Sequence, residues 1–203
     1  MTEDVRSETI EAVFGDCAPQ ASRYCDILAT RGVEWGMIGP HEADRLWSRH
    51  ILNSAAIASL IPNGANVVDV GSGAGLPGIP LALARPDLRM CLLDSLLRRV
   101  NFLELAVDEL GLADRVTVVR ARAEQCTQSY DVVVARAVAP LTRLVEWCEP
   151  MMVELMVALK GDSADAELAD AAGLLDRRGL SAAVRRVGSD ATGEALAVVL
   201  TRQ

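Results

Sequence analysis

The chain has 203 residues, of which 51% are hydrophobic and 24% charged, and its formal net charge is −8; this length suits one α/β domain with a short appendage. No apolar run reaches the ~18–20 residues that a membrane-spanning helix needs, and residues 1–16 lack the basic and then apolar pattern of a secretory signal, so we expect a cytoplasmic protein. Five scattered cysteines form no CxxC pair, which disfavours a zinc site and a disulfide framework.

The N-terminal part of the chain is predicted to be helical. Apolar residues recur at helical spacing from about residue 4 to residue 60. Pro19 and the glycines between residues 32 and 40 divide this region into two or three helices, and the Pro62-Asn63-Gly64 turn ends it. We therefore predict a helical N-terminal extension, residues 1–62, packed on a core of residues 63–203.

The rest of the chain alternates between short β-branched runs and helical patterns. Strands are predicted at 66–70, 90–94, 115–119, 131–135 and 152–159, with helices at 79–84, 96–110 and 141–148 between them. A helix at 164–178 follows, and then two strands, 182–187 and 195–201, that can close the sheet as a hairpin. This alternation predicts βαβ units and a mostly parallel sheet with helices on both faces.

A glycine-rich loop from Asp69 to Gly78 follows the first predicted strand. Its glycines allow a sharp turn and a close approach of a ligand to the backbone. A helix begins at its end, and ligands of open α/β sheets bind at the carboxyl ends of the strands. Asp94, at the end of the second strand, can accept hydrogen bonds from both ribose hydroxyl groups of a nucleoside.

The loop alone leaves the cofactor open. Gly73, Gly75 and Gly78 satisfy the GxGxxG pattern of dinucleotide-binding proteins, which favours an NAD-dependent oxidoreductase. Gly71, however, already occupies the position directly after the strand. Asp69 can hold the amino group of a methionine moiety and would repel a pyrophosphate; the alternative is that it only caps the loop. No Gly-Lys-Ser/Thr follows, so the loop is not a P-loop.

Polar residues follow the next three predicted strands. Arg122-Ala123-Glu124 can meet an adenine with a backbone N–H and a carboxylate, or can form a surface turn. Arg136 can bind a cofactor carboxylate or an RNA phosphate, or can be a solvated surface arginine. Lys160 is the only lysine in the sequence; it can place a compact ammonium near a phosphate or base, or can be there by chance. Arg136 and Lys160 are the candidates for positioning a substrate, and no catalytic residue is assigned.

Two further kinds of side chain are predicted to have structural roles. His50 lies on an otherwise apolar helical stretch and is predicted to be packed and hydrogen-bonded. Trp47 and Trp147 are candidates for stacking on a nucleobase, but packing in the core is the favoured interpretation for both.

Several segments resemble one known family. The longest is Asp69-Val-Gly-Ser-Gly-Ala-Gly-Leu-Pro-Gly-Ile-Pro-Leu81 with Arg85-Pro86. The others are Arg49-His50-Ile-Leu-Asn-Ser54, Leu92-Leu-Asp-Ser95 with Arg99 and Phe102-Leu103, Ala135-Arg-Ala-Val-Ala-Pro-Leu141 and Ala158-Leu-Lys-Gly161. In order and spacing they resemble the 16S rRNA (guanine-N7) methyltransferases called RsmG or GidB, over residues from about 45 to 161.

The resemblance implies a Rossmann-like class I methyltransferase fold, an α/β architecture whose seven-stranded, mostly parallel sheet has its last strand antiparallel. It also implies S-adenosyl-L-methionine as the cofactor, with Gly71 and Leu76 at its methionine part, Asp94 at its ribose and Ala123 with Glu124 at its adenine. Arg136 would complete the pocket. The predicted cofactor-binding residues are Asp69, Gly71, Gly73, Gly75, Leu76, Asp94, Ala123, Glu124 and Arg136, and no metal is expected.

Two positions depart from the family pattern. Asn53 stands where an aspartate is usual. Glu149 to Met156 replaces a Pro-Gly-Gly-like turn before the fifth strand and is shorter by a couple of residues, which affects the segment that leads to Lys160.

The function that the resemblance implies is methyl transfer to N7 of a guanine in 16S rRNA, either naked or in the small ribosomal subunit, by a monomer. Guanine N7 carries a lone pair, so no general base is needed, and catalysis would come from holding the reactants in line. The acidic net charge disfavours RNA binding, but clustered arginines can bind phosphate locally. The alternatives are a methyltransferase acting on a small molecule or protein, the oxidoreductase, and a cofactor-binding RNA partner without turnover.

Overall fold

The structure of the protein is a computed structural model that describes residues 5–202. Within this range the strands are β1 (Asn66–Val70), β2 (Arg89–Asp94), β3 (Val116–Arg120), β4 (Tyr130–Arg136), β5 (Met152–Lys160), β6 (Leu180–Ser189) and β7 (Gly193–Arg202). The α-helices are α1 (Ser7–Phe14), α2 (Ala18–Ile27), α3 (Asn53–Ala55), α4 (Gly78–Ala84), α5 (Leu97–Glu109), α6 (Leu141–Cys148) and α7 (Ala164–Arg178). The strands and helices predicted after residue 62 are all present, with bounds that differ by a few residues.

The strands form one sheet in the order β3-β2-β1-β4-β5-β7-β6. Strands β1 to β5 pair in parallel, and β7 is antiparallel to both β5 and β6. Val70, at the end of β1, lies opposite Leu93 of β2 and Ala135 of β4. The chain order reverses between β1 and β4, which is where open α/β sheets bind ligands. The predicted seven-stranded sheet with an antiparallel last strand is confirmed.

Each face of the sheet is covered by its own hydrophobic core. Val67 belongs to the core that the N-terminal region, α4 and α5 share, whereas the next residue, Val68, belongs to the core of α6 and α7. The alternation follows from the pleat of a strand, which sends successive side chains to opposite faces. Helix α6 shows the matching pattern, because its buried residues recur at helical spacing: Leu141, Leu144, Val145 and Cys148. Helices on both faces are therefore confirmed.

The N-terminal region is helical, as predicted, but it is divided more finely than predicted. π-helical residues Leu28–Gly32 follow α2, a 3-10 helix begins at Pro40, and a second π-helical stretch, Leu46–Leu52, leads into α3. Glycine and proline account for the interruptions: Gly36 has a φ of 65°, and Pro40 lacks the N–H that would continue a helix. Residues 1–4 and 203 lie outside the described residues. The start of the predicted helical pattern at residue 4 therefore lies outside them, as do the outer ends of the two predicted parts, 1–62 and 63–203.

The segment that departs from the family pattern leads directly into β5. Glu149–Met151 form one 3-10 turn, and β5 begins at the next residue. The Glu149 carboxylate accepts hydrogen bonds from Arg178 at 3.0 Å and from Arg202 at 2.7 Å. These two contacts tie the turn to α7 and β7, and β5 then pairs with β4 as far as Leu159 and with β7 as far as Lys160. In the part of the chain that the structure describes, no helix is long and apolar enough to cross a bilayer.

Candidate active site

The loop between β1 and α4 turns at the carboxyl edge of the sheet. The backbone N–H groups of Gly71 and Ser72 both donate to the carbonyl oxygen of Leu93 in β2, at 2.8 and 3.1 Å. Gly71 has a φ of 69°, and a Cβ atom there would lie 2.9 Å from a methyl carbon of Val138. A glycine is therefore needed both for the backbone conformation and for the close approach of the Val138 side chain.

Asp69 is fully buried behind this loop. Its Oδ2 accepts a 3.0 Å hydrogen bond from the N–H of Gly78, the first residue of α4. Its Oδ1 has no hydrogen-bond partner among residues 5–202. Burial raises the pKa of Asp69 to about 7, although hydrogen bonds from Gly78 and Ser72 oppose the rise. Because buried polar atoms are nearly always paired, Oδ1 is suited to a donor that a ligand brings.

Asp94 lies across the loop from Asp69 and is 2% exposed. Its Oδ2 accepts hydrogen bonds from the N–H of Gly73 at 3.0 Å and from Arg99 at 3.3 Å. Its Oδ1 accepts one from the N–H of Leu96 at 3.0 Å. A carboxylate has about four lone-pair positions, and the long contact to Arg99 can yield to a stronger donor. Asp94 can therefore bind a pair of hydroxyl groups while the backbone keeps it in place.

An open cleft of about 630 Å³, its mouth included, runs along the loop and the ends of β2 and β3. It is lined by four predicted site residues: Gly71, Asp94, Ala123 and Glu124. The other lining residues are Val70, Leu93, Ser95, Arg99, Ala121, Arg122, Val138 and Trp147. The lining combines apolar side chains with the Asp94 and Glu124 carboxylates, the mixture that is typical of sites for small molecules and cofactors.

The far end of the cleft combines an aromatic surface with a carboxylate. Ala123 and Glu124 lie in a 3-10 turn after β3; Ala123 is buried and Glu124 is exposed. Trp147 of α6 also lines the cleft, and the guanidinium of Arg143 lies 5.8 Å from its ring centroid. Trp147 is half-buried and packs against the core of α6 and α7, as predicted, but its position at the border of the buried face of α6 also places it in the cleft lining. Trp47 is buried, as predicted.

Among the residues that the structure describes, Arg136, at the end of β4, makes its hydrogen bonds to the N-terminal region. Its Nη1 donates to the carbonyl oxygen of His50 at 3.2 Å and to Ser54 Oγ at 2.9 Å. Its Nη2 donates to the carbonyl oxygen of Arg49 at 2.8 Å and contacts His50 Nδ1 at 3.0 Å. These partners are all neutral acceptors, and none of the ion pairs found within residues 5–202 includes Arg136. The interpretation of Arg136 as a solvated surface residue is therefore wrong.

The register of the sheet places Arg136 next to the glycine loop. Ala135 pairs with Val70, so Arg136 comes level with Gly71. The charges of Arg136 and Asp69 are close enough that Arg136 lowers the pKa of Asp69. Ala137, the next residue, has a φ of 54°, which is rare for a residue with a side chain and is concentrated at functional sites. The chain therefore turns away directly after placing the guanidinium.

Lys160 has partners of its own within the protein. Its Nζ donates to the carbonyl oxygen of Ala139 at 2.8 Å and to Glu167 Oε2 at 2.7 Å, and its side chain is 8% exposed. Glu167 Oε2 also accepts from the N–H of Leu141 at 2.9 Å. Burial raises the pKa of Glu167, but hydrogen bonds, first that from Lys160, hold it below its usual value. Lys160 therefore fixes the loop after β4 and is not directed at the cleft.

Three of the predicted loop residues lie beside the cleft rather than in its lining. Gly73 donates its N–H to Asp94. Gly75 is buried, and a Cβ atom there would lie 2.5 Å from the end of Ile79 and 3.1 Å from the Tyr24 hydroxyl. Leu76 is half-buried against the N-terminal core. Asp69, buried behind the loop, and Arg136, bound to the N-terminal region, are also absent from the lining, so the cleft itself is lined by four of the nine predicted residues.

Sequence reasoning missed several residues that the fold brings to this site. Tyr24 contacts the glycine loop, His50 and Ser54 contact Arg136, and Arg99 and Val138 line the cleft. Four of these five lie within the segments that resemble the family, so those segments were a usable signal. For Tyr24 the sequence carries no such signal. Within residues 5–202, no three histidine, cysteine, aspartate or glutamate side chains are grouped so as to hold a metal ion.

The strand order, the glycine loop and the acidic residue after β2 define the fold of the S-adenosylmethionine-dependent class I methyltransferases. The magnesium protoporphyrin IX methyltransferase of Synechocystis, solved with its bound cofactor, superposes with a TM-score of 0.62 at 16% identity, over 91% of this chain and 97% of that one. An O-methyltransferase from neocarzinostatin biosynthesis, solved with S-adenosyl-L-homocysteine, superposes with a TM-score of 0.62 at 20% identity, over 85% of this chain and 61% of that one. At these identities the similarity shows the fold alone.

The family is shown by sequence. The family model GidB, rRNA small subunit methyltransferase G, matches residues 18–182. A protein of Kineococcus radiotolerans named ribosomal RNA small subunit methyltransferase G is 51% identical, over 92% of this chain and 76% of that one. A protein of the same name from Mycobacterium sp. (strain JLS) is 48% identical, over 96% of this chain and 89% of that one. The chain belongs to the GidB family of rRNA small subunit methyltransferases.

Proposed function

We propose that this protein transfers a methyl group from S-adenosyl-L-methionine to N7 of a guanine in 16S ribosomal RNA. The observation that carries the proposal is a fully buried carboxylate, Asp69, and a half-buried guanidinium, Arg136, beside Gly71. Within residues 5–202, Asp69 has an oxygen without a partner, and the hydrogen-bond partners of Arg136 are neutral. Buried charges are normally paired, so the two groups together suit a ligand with one positive and one negative group.

The residues present fit this cofactor. The methionine part of S-adenosylmethionine carries an amino and a carboxylate group, which match Asp69 and Arg136. Asp94 suits the two ribose hydroxyl groups, and Gly71 leaves room for the chain between them. Ala123 and Glu124 suit the adenine, as an apolar contact and a hydrogen-bond acceptor. Gly73, Gly75 and Leu76 act by shaping the loop. A pyrophosphate, which NAD would bring, has no place beside the buried Asp69 carboxylate.

The cofactor supplies an activated methyl group, so the protein has only to bind, orient and exclude water. Guanine N7 carries its lone pair at neutral pH, and no residue has to remove a proton from it. This fits a cleft in which the described residues include no histidine, and in which the carboxylates are Asp94 and Glu124. Catalysis then rests on holding the acceptor base in line at a short distance. The base must be unpaired or splayed out, since N7 lies on its Hoogsteen edge.

Support for RNA as the substrate comes from the family and from the distribution of charge. Arg99 and Arg122 line the cleft, and Arg98, Arg120 and Arg143 are exposed on the same elements. Arginines can bind phosphate even on a protein whose net charge is −8. We infer that they contact RNA around the target guanine, in the cytoplasm, and that the protein acts as a monomer.

The test is to map 7-methylguanine in 16S rRNA from cells with and without the gene. We expect one modified position that disappears with the gene and returns when purified protein is added to small subunits or to naked 16S rRNA with the cofactor. If 16S rRNA from cells without the gene carried the same 7-methylguanine as 16S rRNA from cells with it, the proposed substrate would be wrong. A methyltransferase of small molecules or proteins would also show no steep dependence of substrate binding on salt.

A matched binding experiment tests the cofactor. Calorimetry with S-adenosylhomocysteine should show binding that Arg136→Ala weakens by about tenfold or more, whereas Arg186→Ala, an exposed arginine on β6 outside the cleft, should change it little. Binding of NAD without binding of S-adenosylhomocysteine would overturn the proposal in favour of an oxidoreductase. Cofactor binding without methylation of any RNA would support a non-catalytic RNA partner.

A further inference from the structure

A small polar cluster links the N-terminal region to the end of β4. His50, on the second π-helical stretch, contacts Glu42 and Arg136 with its two ring nitrogens: Nε2 lies 2.9 Å from Glu42 Oε2, and Nδ1 lies 3.0 Å from Arg136 Nη2. The His50 side chain is 12% exposed. His50 is therefore packed and hydrogen-bonded, as the sequence predicts, and the structure identifies the two partners.

The partners of His50 determine its tautomer. A guanidinium has only donors, so Nδ1 must be the acceptor for Arg136 and must carry no proton. The proton of the neutral ring is then on Nε2, where it is donated to Glu42. Burial lowers the pKa of His50, the charge of Arg136 lowers it further, and Glu42 opposes both. The ring is therefore neutral and points a lone pair at the guanidinium.

The choice of a neutral acceptor has an electrostatic consequence. If a carboxylate faced Arg136, it would bind the guanidinium more strongly, but it would also cancel its charge. The actual partners are the carbonyl oxygens of Arg49 and His50, the hydroxyl of the fully buried Ser54, and the His50 ring. These four contacts hold the guanidinium plane in position. Because none of these partners is charged, the positive charge remains available to a ligand.

We propose that His50, oriented by Glu42, is a positioning residue that holds the charged guanidinium of Arg136 toward the carboxylate of the cofactor's methionine part. The inference rests on the proposed function, because it takes S-adenosylmethionine as the ligand. Glu42 lies outside the cleft, its Oε2 also lies 3.2 Å from Arg49 Nε, and its hydrogen bond is to the imidazole of His50 and not to Arg136. The N-terminal region thereby becomes a functional part of the cofactor site and not only a cover for the sheet.

Two variants at His50 separate hydrogen bonding from packing. His50→Leu keeps much of the volume and removes the acceptor, whereas the amide oxygen of His50→Asn can take the position of Nδ1. We expect the affinity for S-adenosylhomocysteine, measured by calorimetry, to fall about tenfold in His50→Leu and to stay within about twofold of the wild type in His50→Asn. The KM for the cofactor should rise in parallel in His50→Leu, with little change in kcat.

The control is His41→Leu, because His41 is an exposed histidine nine positions earlier on the same region of the chain. It should leave cofactor affinity unchanged. If His50→Leu does not fold, Glu42→Leu takes its place as the test, since the half-buried Glu42 carboxylate can be removed without a defect in the core. We expect the affinity for S-adenosylhomocysteine to fall about threefold in Glu42→Leu and to be restored in Glu42→Gln.

The outcomes distinguish this inference from the proposed function. A folded His50→Leu, or Glu42→Leu in its place, that binds S-adenosylhomocysteine as the wild type does overturns the positioning role and leaves the function intact. Equal losses in His50→Leu and His50→Asn also overturn it, since packing would then explain both. If the wild type binds S-adenosylhomocysteine but methylates no RNA, the proposed substrate fails, while the comparison of affinities still tests His50.

Discussion

The hydroxyl group of Tyr24 donates a 2.8 Å hydrogen bond to the carbonyl oxygen of Ala74, although the two residues are 50 positions apart in the chain. Tyr24 lies on α2 and is fully buried, and Ala74 is in the glycine loop. Burial and the nearby Asp69 raise the pKa of Tyr24 well above its usual value, so the hydroxyl keeps its proton and remains a donor. The N-terminal region thus fixes the loop that carries the candidate site.

Tyr24→Phe should therefore weaken cofactor binding as well as stability. The change leaves the Ala74 carbonyl without this donor, and we expect a loss of about 1–2 kcal/mol in the free energy of unfolding. Affinity for S-adenosylhomocysteine should fall several-fold because the loop is held less firmly. Tyr130→Phe is the control, since Tyr130 is equally buried at the opposite end of the sheet. It should reduce stability without affecting affinity; equal affinities in the two variants would contradict the role of Tyr24.

The pKa of Asp69, about 7, predicts how cofactor affinity depends on pH. The ionised carboxylate binds an amino group, so affinity for S-adenosylhomocysteine should rise about tenfold between pH 6 and pH 8. Asp69→Asn, which keeps an acceptor for the Gly78 N–H, should bind weakly and show no such rise. Calorimetry at the two pH values is the measurement, and a pH-independent affinity in the wild type would remove Asp69 from the binding step.

The same pKa predicts the opposite trend for the stability of the free protein. Because the folded-state pKa is above the unfolded-state value, the folded protein binds more protons between about pH 4 and pH 7. The contribution of Asp69 to the free energy of unfolding is therefore greatest at low pH and falls by about 4 kcal/mol as the pH rises through this range. Asp69→Asn should show no such fall, so denaturant unfolding of the two proteins across the range should give stabilities that diverge as the pH rises and a difference that levels off above about pH 7.

Gly78 is the loop glycine whose replacement should be most harmful. A Cβ atom there would lie 2.3 Å from a methyl carbon of Leu92 and 2.7 Å from Asp69 Oδ2, both in the buried interior. Gly78→Ala should lower the free energy of unfolding by about 2–3 kcal/mol and abolish measurable cofactor binding, since it displaces Asp69. Gly161→Ala is the control because a Cβ atom there meets nothing within 4 Å. Denaturant unfolding compares the two, and equal stabilities would show that the loop relaxes freely.

Replacing Lys160 with arginine should do more damage than the conservative nature of the substitution suggests. The ammonium fits between the Ala139 carbonyl and Glu167, and a planar guanidinium is larger and cannot take that place. We expect Lys160→Arg to lower stability by about 1–3 kcal/mol and to reduce kcat, because the loop from Ala137 to Pro140 shifts beside Gly71. Activity assays with 16S rRNA and denaturant unfolding test this. Full activity in Lys160→Arg would show that the loop does not depend on the ion pair.

The fold was largely predictable because its signals are local. Strands are predicted by the β-branched runs at Asn66–Val70 and Tyr130–Arg136, and a helix is predicted by the apolar spacing in α6. The alternation of such segments predicts a parallel sheet. The N-terminal region was less predictable. Its π-helical stretches have the same apolar spacing as an ordinary helix to a first approximation, and the contacts that accompany them, such as Arg136 on the carbonyl oxygens of Arg49 and His50, come from a distant strand.

The sequence by itself determined the strand segments, the glycine loop and the acidic residues Asp69 and Asp94, because each of these features is encoded within a few positions of the chain. Only the tertiary structure decided which charges are paired. It directed Lys160 to Glu167 and away from the cleft, placed Trp147 in its lining, and brought Tyr24, His50 and Ser54 to the site. Hydrogen bonds and burial depend on distances between residues far apart in sequence, and those distances are fixed only when helices and sheet pack together.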